Sequence, residues 1–306
     1  MALGVLNNIP AIYAENYLNA SQASLQTVLQ QLSSGSRINS GADDAAGLSL
    51  ANGLAANSAA LTQSATNASQ GVGLLQVADG ALSQVTNLLN RAVTLATEAS
   101  NGTLNTTQDA AADSEYQSIL DEISNIGSTT TYNGNQVFGS TAPFVIFTGD
   151  GTAGGGFTDS LDLATLSSAS VGDSTGSAGL VYTSGAGTAT STLVYTPVAA
   201  DVENLSTTSL TSQSNAETAL TDIYTAVTDT AAERGYTGAQ INTLNAVSGV
   251  ESTQETNVTS AENSITQTDY GQASSNLSKY EILSQTGISA LAQANSVQQE
   301  VLKLLQ

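Results

Sequence analysis

Residues 31–48 read QLSSGSRINSGADDAAGL, and this stretch decides how the N-terminal part of the chain is organised. Its glycines and small polar residues favour turns over a helix interior, so the stretch predicts a linker between two helices. Ser40 followed by Asp43 is typical of a helix start, and Asp44 adds negative charge where the helix dipole is positive. The predicted linker and helix-cap residues are Ser36, Arg37, Asn39, Ser40, Asp43 and Asp44.

Regular apolar spacing continues on both sides of this linker. Before it, Leu18, Leu25 and Leu32 recur every seven residues and form a narrow stripe of the coiled-coil type, which one helix alone cannot bury. After it, apolar residues at three- and four-residue steps predict a helix from about Asp43 to Ser100. At 1.5 Å per residue this helix would extend for roughly 85 Å. Such a length predicts a rod-shaped bundle.

The rest of the chain is read from the same two signals, apolar spacing and turn residues. A further helix is predicted from Asp109 to Ile126, and Asn133-Gly134 predicts a type I′ hairpin turn. Short apolar runs between Phe144 and Pro197 alternate with Gly- and Ser-rich turns, which indicates a small β region. Helical spacing resumes near Ser214, is predicted to be interrupted at Gly235 to Gly238, and then continues to the chain end.

The predicted fold class is therefore mainly α, with a long antiparallel helical rod or coiled-coil bundle formed by both chain ends and a small hairpin-rich β region in the middle. Each chain end carries an apolar stripe that it cannot bury alone. We expect the two ends to pair with each other and then with neighbouring subunits. The predicted assembly interface consists of Leu18, Leu25, Leu29, Leu32, Leu277, Ile288, Leu291, Val301 and Leu305.

Composition argues against several classes of function. Lys and Arg number 5 against 26 Asp and Glu, and the formal net charge of −21 has the wrong sign for nucleic acid or an anionic membrane. His and Cys are absent, which removes the commonest general base, the thiolate nucleophile and most transition-metal ligand sets. We expect no enzyme activity, no cofactor, no metal and no nucleic-acid partner. Neither a cleaved signal peptide nor membrane insertion is predicted, since the N-terminus lacks a basic region and no long apolar run occurs.

The stretch from Gln31 to Leu48 resembles the signature of bacterial flagellins, and residues 7–11, 282–295 and 301–305 resemble the opening and the tail of that family. The resemblance implies an inner domain made of both terminal helices, a rod domain of longer helices with a hairpin, and polymerisation into a hollow filament. It implies export through the flagellar type III apparatus, so the expected location is extracellular, in the flagellum. Expected partners are many copies of the same chain, the flagellar cap, junction proteins and an export chaperone.

The middle segment of this family is variable, and it is short here, so no large outer domain is expected. The resemblance and the residue pattern together divide the chain into five segments. These are an inner N-terminal helix with its linker, the first half of the rod, a variable Gly-, Ser- and Thr-rich β region, the second half of the rod and an inner C-terminal helix, at residues 1–42, 43–140, 141–213, 214–259 and 260–306.

Arg91, Leu95 and Glu115 resemble the flagellin patch that a vertebrate Toll-like receptor reads, so a host innate-immune receptor is a further expected partner. From the residues alone, Leu95 belongs to an apolar stripe, and the other two are ordinary charges on a helix face. Two other functions stay open beside a filament subunit: a hook–filament junction protein, which has similar helical ends, and a secreted adhesin or effector. The copy number in sheared appendages distinguishes the junction protein from the filament subunit.

Overall fold

The computed structural model describes residues 8–139, 144–149, 158–161, 163–173, 179–183, 190–194 and 204–304. Its helices are α1 (Ile9–Ser34), α2 (Ala45–Ser100), α3 (Thr106–Thr129), α4 (Gln213–Thr266) and α5 (Tyr270–Leu304), with a short 3-10 turn at Leu205–Thr207. Its strands are β1 (Thr131–Tyr132), β2 (Asn135–Gln136), β3 (Phe144–Phe147), β4 (Thr158–Leu161), β5 (Thr165–Ser167), β6 (Ser170–Asp173), β7 (Gly179–Thr183) and β8 (Thr190–Val194). The mainly α class, with long helices towards both ends and small hairpins between them, is confirmed.

Within the described residues, the strands pair as separate two-stranded antiparallel hairpins, β1 with β2, β3 with β4, β5 with β6 and β7 with β8. Asn133 and Gly134 join β1 to β2 with φ angles of 51° and 80°. Two positive φ angles are what a type I′ turn requires, so the predicted hairpin turn is confirmed. In the β3–β4 hairpin, Phe147 pairs with Thr158 and Ile146 pairs with Asp159.

Helix α4 runs without a break from Gln213 to Thr266, so the predicted interruption at Gly235 to Gly238 is wrong. A Cβ atom added at either glycine would meet nothing within 4 Å, which places both glycines away from neighbouring elements. Tyr236 and Thr237, between them, are buried. Burial of these intervening side chains outweighs the roughly 1 kcal/mol that a glycine costs in a helix interior.

Helix α3 shows how short polar side chains set a helix boundary. The Asn105 side chain accepts hydrogen bonds from the amides of Thr107 and Gln108, both at 3.0 Å. The Gln108 side chain accepts one from the Asn105 amide, also at 3.0 Å. This reciprocal capping box satisfies amides that have no partner within the helix, so α3 begins at Thr106, three residues before the predicted start at Asp109.

The chain forms two compact units. The terminal unit comprises Met1–Ala56 and Asn257–Gln306, and the central unit comprises Asn57–Thr256. The central unit contains one continuous apolar core, to which the helices and hairpins contribute Leu75, Leu82, Leu89, Tyr116, Leu120, Ile123, Phe138, Leu161, Leu166, Ile223 and Leu244 among others. In the described part of the terminal unit the buried apolar residues are Val28, Ile38, Ala51 and Ala273. The terminal unit therefore has almost no core of its own.

Candidate assembly surface

Helices α1 and α5 pack against each other in an antiparallel pair within the terminal unit. The Asn8 side chain caps the start of α1, accepting from the Ala11 amide at 3.1 Å, and its Nδ2 donates to the carbonyl oxygen of Ala294 at 3.2 Å. Further along the pair, Leu18 lies against Gly287, where an added Cβ would stand 3.3 Å from Leu18 Cδ1. The absent side chain at Gly287 is thus what lets the two helices approach closely.

The structure divides the predicted interface residues into two sets. One set is half-buried, and by the helical repeat all its members except Leu277 lie on the side of their helix where Leu18 contacts Gly287. Its members are Leu18, Leu25, Leu32, Leu277 and Leu291. The other set, Leu29 and Ile288, is exposed. Leu305 lies outside the described residues, and Val301 lies in α5 with its side chain outside them.

A second apolar face of α1 was not predicted from the sequence. Ile9, Tyr13 and Tyr17 follow one another at four-residue steps with Ile12 beside them, and all four are exposed, Tyr17 by 72%. At 3.6 residues per turn, Ile9 lies about 180° from Leu18 around the helix, Tyr13 and Ile12 about 120–140°, and Tyr17 about 100°. We call them the outer face of α1. The available signal was this second apolar series, which the seven-residue leucine repeat obscured.

Exposed apolar side chains are concentrated in the terminal unit. Of the sixteen large apolar residues that are exposed in the described part of the chain, eleven belong to this unit. Those on α5 are Tyr270, Ile282, Leu283, Ile288 and Val297. Scattered apolar residues are normal on a protein surface, but this concentration on a unit with almost no core is not. This concentration of exposed apolar residues is typical of a surface that binds another protein surface.

The two terminal helices are also nearly neutral in a strongly acidic chain. Helix α1 contains one charged residue, Glu15, and α5 contains the balanced set Lys279, Glu281, Glu300 and Lys303. These helices therefore carry a net charge of −1 out of the −21 of the whole chain. Copies of such helices can approach each other with little repulsion.

The predicted linker is held by main-chain hydrogen bonds to the connection between α4 and α5. The Arg37 amide donates to the carbonyl oxygen of Thr266 at 2.7 Å, and the Thr268 amide donates to that of Gly35 at 3.1 Å. The Arg37 guanidinium adds two hydrogen bonds to the Ile265 carbonyl oxygen, from Nε at 3.2 Å and Nη2 at 2.9 Å. Arg37 therefore links the segment after α1 to the end of α4.

Gly35 ends α1 in the left-handed conformation, with φ of 72°. A Cβ at this position would lie 2.9 Å from the Tyr270 hydroxyl oxygen, so both the backbone angle and the space favour glycine. The next residue, Ser36, pairs with Gln267 in a single antiparallel bridge, and its hydroxyl donates to the Ile38 carbonyl oxygen at 2.8 Å. These contacts fix the direction in which the chain leaves α1.

The two aspartates of the linker have different roles. Asp43 Oδ2 accepts hydrogen bonds from the amides of Asn39 at 3.0 Å and Ser40 at 2.8 Å, and these bonds lower the pKa of the Asp43 carboxyl. Asp44 Oδ1 accepts from the Gly47 amide at 2.8 Å and so caps α2, which begins at Ala45. Asp43 thus closes the loop, and Asp44 starts the helix.

The three residues of the receptor-like patch lie in different environments of the central unit. Arg91 Nη2 and Glu115 Oε1 form an ion pair at 2.7 Å between α2 and α3, with both side chains about half exposed. Leu95 is only 3% exposed and belongs to the core. The structure brings the two charged residues together on the surface and places Leu95 among core residues.

Among the described residues, no group of three or more His, Cys, Asp or Glu side chains is placed to hold a metal ion. No helix in this part of the chain has the length and apolar character needed to cross a membrane.

Paired terminal helices that leave an apolar surface uncovered are typical of proteins that associate further. Two family models match this chain: the bacterial flagellin N-terminal helical region over residues 5–142 and the bacterial flagellin C-terminal helical region over residues 220–305. The two matched regions contain α1, α2, α3 and α5 and most of α4. The chain belongs to the bacterial flagellin family.

Individual relatives agree with this assignment. Flagellin B of Vibrio cholerae serotype O1 is 38% identical over 137 residues, which are 45% of this chain and 36% of that protein. Polar flagellin B/D of Vibrio parahaemolyticus serotype O3:K6 is 37% identical over 141 residues, 46% of this chain and 37% of that protein. The chain thus spans little more than a third of the length of these relatives. The crystal structure of Bacillus cereus flagellin aligns with 60% of this chain and 88% of its own, at 26% identity and a TM-score of 0.44.

Proposed function

We propose that the chain is a structural subunit that self-assembles into the helical extracellular filament of the bacterial flagellum and serves swimming motility, with no catalytic role. The observation that carries this proposal is the terminal unit: two paired helices with almost no buried core and with most of the exposed large apolar residues of the described chain. Membership of the flagellin family supports the same conclusion.

The energetics favour many copies over a lone chain. Burying one large aliphatic side chain fully contributes about 1.5–3 kcal/mol, so covering several half-exposed ones supplies on the order of 10 kcal/mol before the entropic cost of association. In a helical polymer each subunit repeats the same contacts, so this contribution recurs at every addition. The nearly neutral charge of α1 and α5 keeps repulsion between copies low at this surface.

Assembly of the purified chain tests the proposal directly. The full chain and a variant that lacks residues 1–34, which removes α1, are concentrated side by side and compared by sedimentation and electron microscopy. We expect filaments from the full chain and soluble, folded protein from the variant, because the central unit has its own core. A full chain that stays monomeric at every concentration, or filaments from the truncated chain, would contradict the proposal.

A junction protein and a secreted adhesin or effector are the competing functions. Sheared appendages distinguish them, since a filament subunit is the dominant protein of the preparation, a junction protein is scarce and an adhesin is absent. We further propose export without a cleaved signal peptide, which requires the filament protein to retain its first residues. Mass spectrometry of the same preparation measures this.

Other partners would act on the same surfaces. The flagellar cap, junction proteins and an export chaperone would cover the exposed apolar residues of the terminal unit, as further copies of the chain do. A host innate-immune receptor would use the exposed Arg91 and Glu115, but not Leu95 in this conformation, because it is buried. Receptor binding by the monomer, compared with that of an Arg91→Ala variant, tests this contact.

A further inference from the structure

The central unit buries a carboxyl group that the family assignment does not explain. Glu233 lies on α4 and is only 9% exposed. Its Oε1 accepts a hydrogen bond from the amide of Ala164 at 3.1 Å, which ties the segment before β5 to the helix. Burial raises the pKa of Glu233 to about 7. The neighbouring Arg234 does not compensate it, since its guanidinium is paired with Asp79 at 2.8 Å.

Two more carboxyl groups are buried where the β3–β4 hairpin meets the helices. Glu251 of α4 accepts a hydrogen bond from the hydroxyl of Ser64 on α2, and Ser64 Oγ accepts one from the Gly149 amide at 2.5 Å. Asp159 of β4 is 4% exposed and Glu251 is 5% exposed. Asp159 Oδ2 and Glu251 Oε2 have no hydrogen-bond partner. Burial raises the pKa of both groups, and the Asp159 charge raises that of Glu251 further.

The two arginines of the central unit are engaged in other ion pairs. Arg91 and Arg234, in the central unit, form ion pairs with Glu115 and Asp79. The charged group that raises the pKa of Glu251 is Asp159, and the pKa of Glu233 responds to burial and to the hydrogen bond from the Ala164 amide. An ionised carboxylate at any of these three positions is therefore buried without a cation.

We propose that Glu233, Glu251 and Asp159 are proton-controlled fasteners, which hold residues 144–149, 158–161 and 163–164 against α2 and α4 when they are neutral and loosen these residues when they ionise. A neutral carboxyl can stay buried with one hydrogen bond, whereas an unpaired carboxylate strongly favours water. The contacts at stake are the Gly149 amide with Ser64 and the Ala164 amide with Glu233. This device acts within one chain and does not depend on assembly.

The direction of the pH effect follows from the raised pKa of an acid. The folded state binds the proton more tightly than the unfolded state, so the stabilisation is complete below the unfolded pKa and is lost as pH rises through the folded pKa. For Glu233 the window runs from about 4.5 to about 7. This difference between the folded and the unfolded pKa of Glu233 lowers the ratio of folded to unfolded protein by roughly a hundredfold across the window.

Isosteric amide variants test the proposal on the full chain, held below its assembly concentration. Thermal melts by circular dichroism are measured between pH 5 and pH 8 for the wild type, for Glu233→Gln and for Glu251→Gln. We expect the wild-type Tm to fall as pH rises and each variant to lose part of that fall. The matched control is Glu98→Gln on α2, an exposed glutamate whose removal deletes the same charge and leaves the pH dependence intact.

General charge repulsion in a chain of net charge −21 also destabilises the fold as pH rises. Added salt distinguishes this repulsion from the effect of the three buried carboxyl groups. Repulsion between exposed charges is screened by added salt, whereas the desolvation of a buried carboxyl is not. The difference in pH dependence between wild type and Glu233→Gln should therefore persist in 0.5 M salt, a concentration at which the Debye length is roughly 4 Å. Equal pH dependence of wild type, control and amide variants would overturn the proposal.

Hydrogen exchange in the wild type gives an independent measurement if an amide variant fails to fold. After correction for the intrinsic pH dependence of exchange, protection of the Gly149 and Ala164 amides should fall by roughly tenfold or more between pH 5 and pH 8. Buried amides within the middle of α3 provide the internal reference and should keep their protection. Equal protection of the Gly149 and Ala164 amides at pH 5 and pH 8 would contradict the proposal.

Discussion

Replacing Ile288 by Asp tests whether assembly can be impaired without unfolding the monomer. Ile288 lies on α5, is 50% exposed and does not belong to the half-buried set that faces α1. Half of its side chain therefore remains to be covered in the proposed polymer, which corresponds to about 1 kcal/mol of apolar burial. An unpaired carboxylate in the covered site costs several kcal/mol more. With a tenfold change for each 1.4 kcal/mol, the critical concentration should rise by at least roughly a hundredfold.

The assay is the protein concentration that remains in the supernatant after assembly and sedimentation. Ile288→Leu keeps an apolar side chain and should assemble nearly as the wild type does. Leu291→Asp places the charge on the half-buried side of α5, so it should disrupt the α1–α5 pair as well as assembly. Val145→Asp is the matched exposed substitution in the central unit, and we expect it to leave the critical concentration unchanged.

Circular dichroism distinguishes these variants before assembly. The Ile288→Asp monomer should retain the wild-type helix content and melt cooperatively, since half of Ile288 is already exposed to solvent in the monomer. The Leu291→Asp monomer should lose helix from the terminal unit and keep the cooperative transition of the central unit. Filaments from Ile288→Asp at the wild-type critical concentration would refute the idea that the exposed residues of the terminal unit drive polymerisation.

Three further substitutions test single features of the fold by thermal or denaturant unfolding. Gly35→Ala should destabilise the end of α1 by about 1 kcal/mol or more, since φ is 72° there; an unchanged midpoint contradicts this. Gly127→Ala should displace β5, because its Cβ would fall 1.9 Å from the Leu166 carbonyl oxygen; unaltered amide protection in β5 is the opposing result. Leu95→Ala should cost about 2–5 kcal/mol as a core cavity, and a loss below 1 kcal/mol would argue against its burial.

Helix periodicity predicted the architecture well where the signal was local. The leucine repeat of α1, the start of α2 within two residues of Asp43 and the Asn133-Gly134 turn all depend on neighbours in sequence. Helix α2 also continues without a break through Gly71, Gly73 and Gly80. Gly71 in fact makes room, since a Cβ there would fall 2.1 Å from Ile146 Cδ1.

The errors and omissions arise from contacts between residues far apart in sequence. The two glycines at Gly235 and Gly238 suggested a break, but burial of the intervening side chains keeps α4 helical. The buried carboxyls were not predicted, since Ser64 and Glu251 are 187 residues apart and no local pattern marks either as buried. The division of the leucines into a paired set and an exposed set likewise required the register of α1 on α5.

The distribution of charge is compatible with the polymerisation that we propose for this acidic chain. Helices α1 and α5 account for −1 of the net charge of −21, so nearly all the repulsion between copies originates in the segment between them. In that segment the described ion pairs, Arg91 with Glu115 and Arg234 with Asp79, are substantially exposed and contribute at most about 1 kcal/mol each. Cohesion between copies must then come from apolar contact at the neutral helices, and cohesion within the central unit from its core. Separating the two in this way lets acidic residues accumulate in the central unit without weakening the surface proposed to join one subunit to the next.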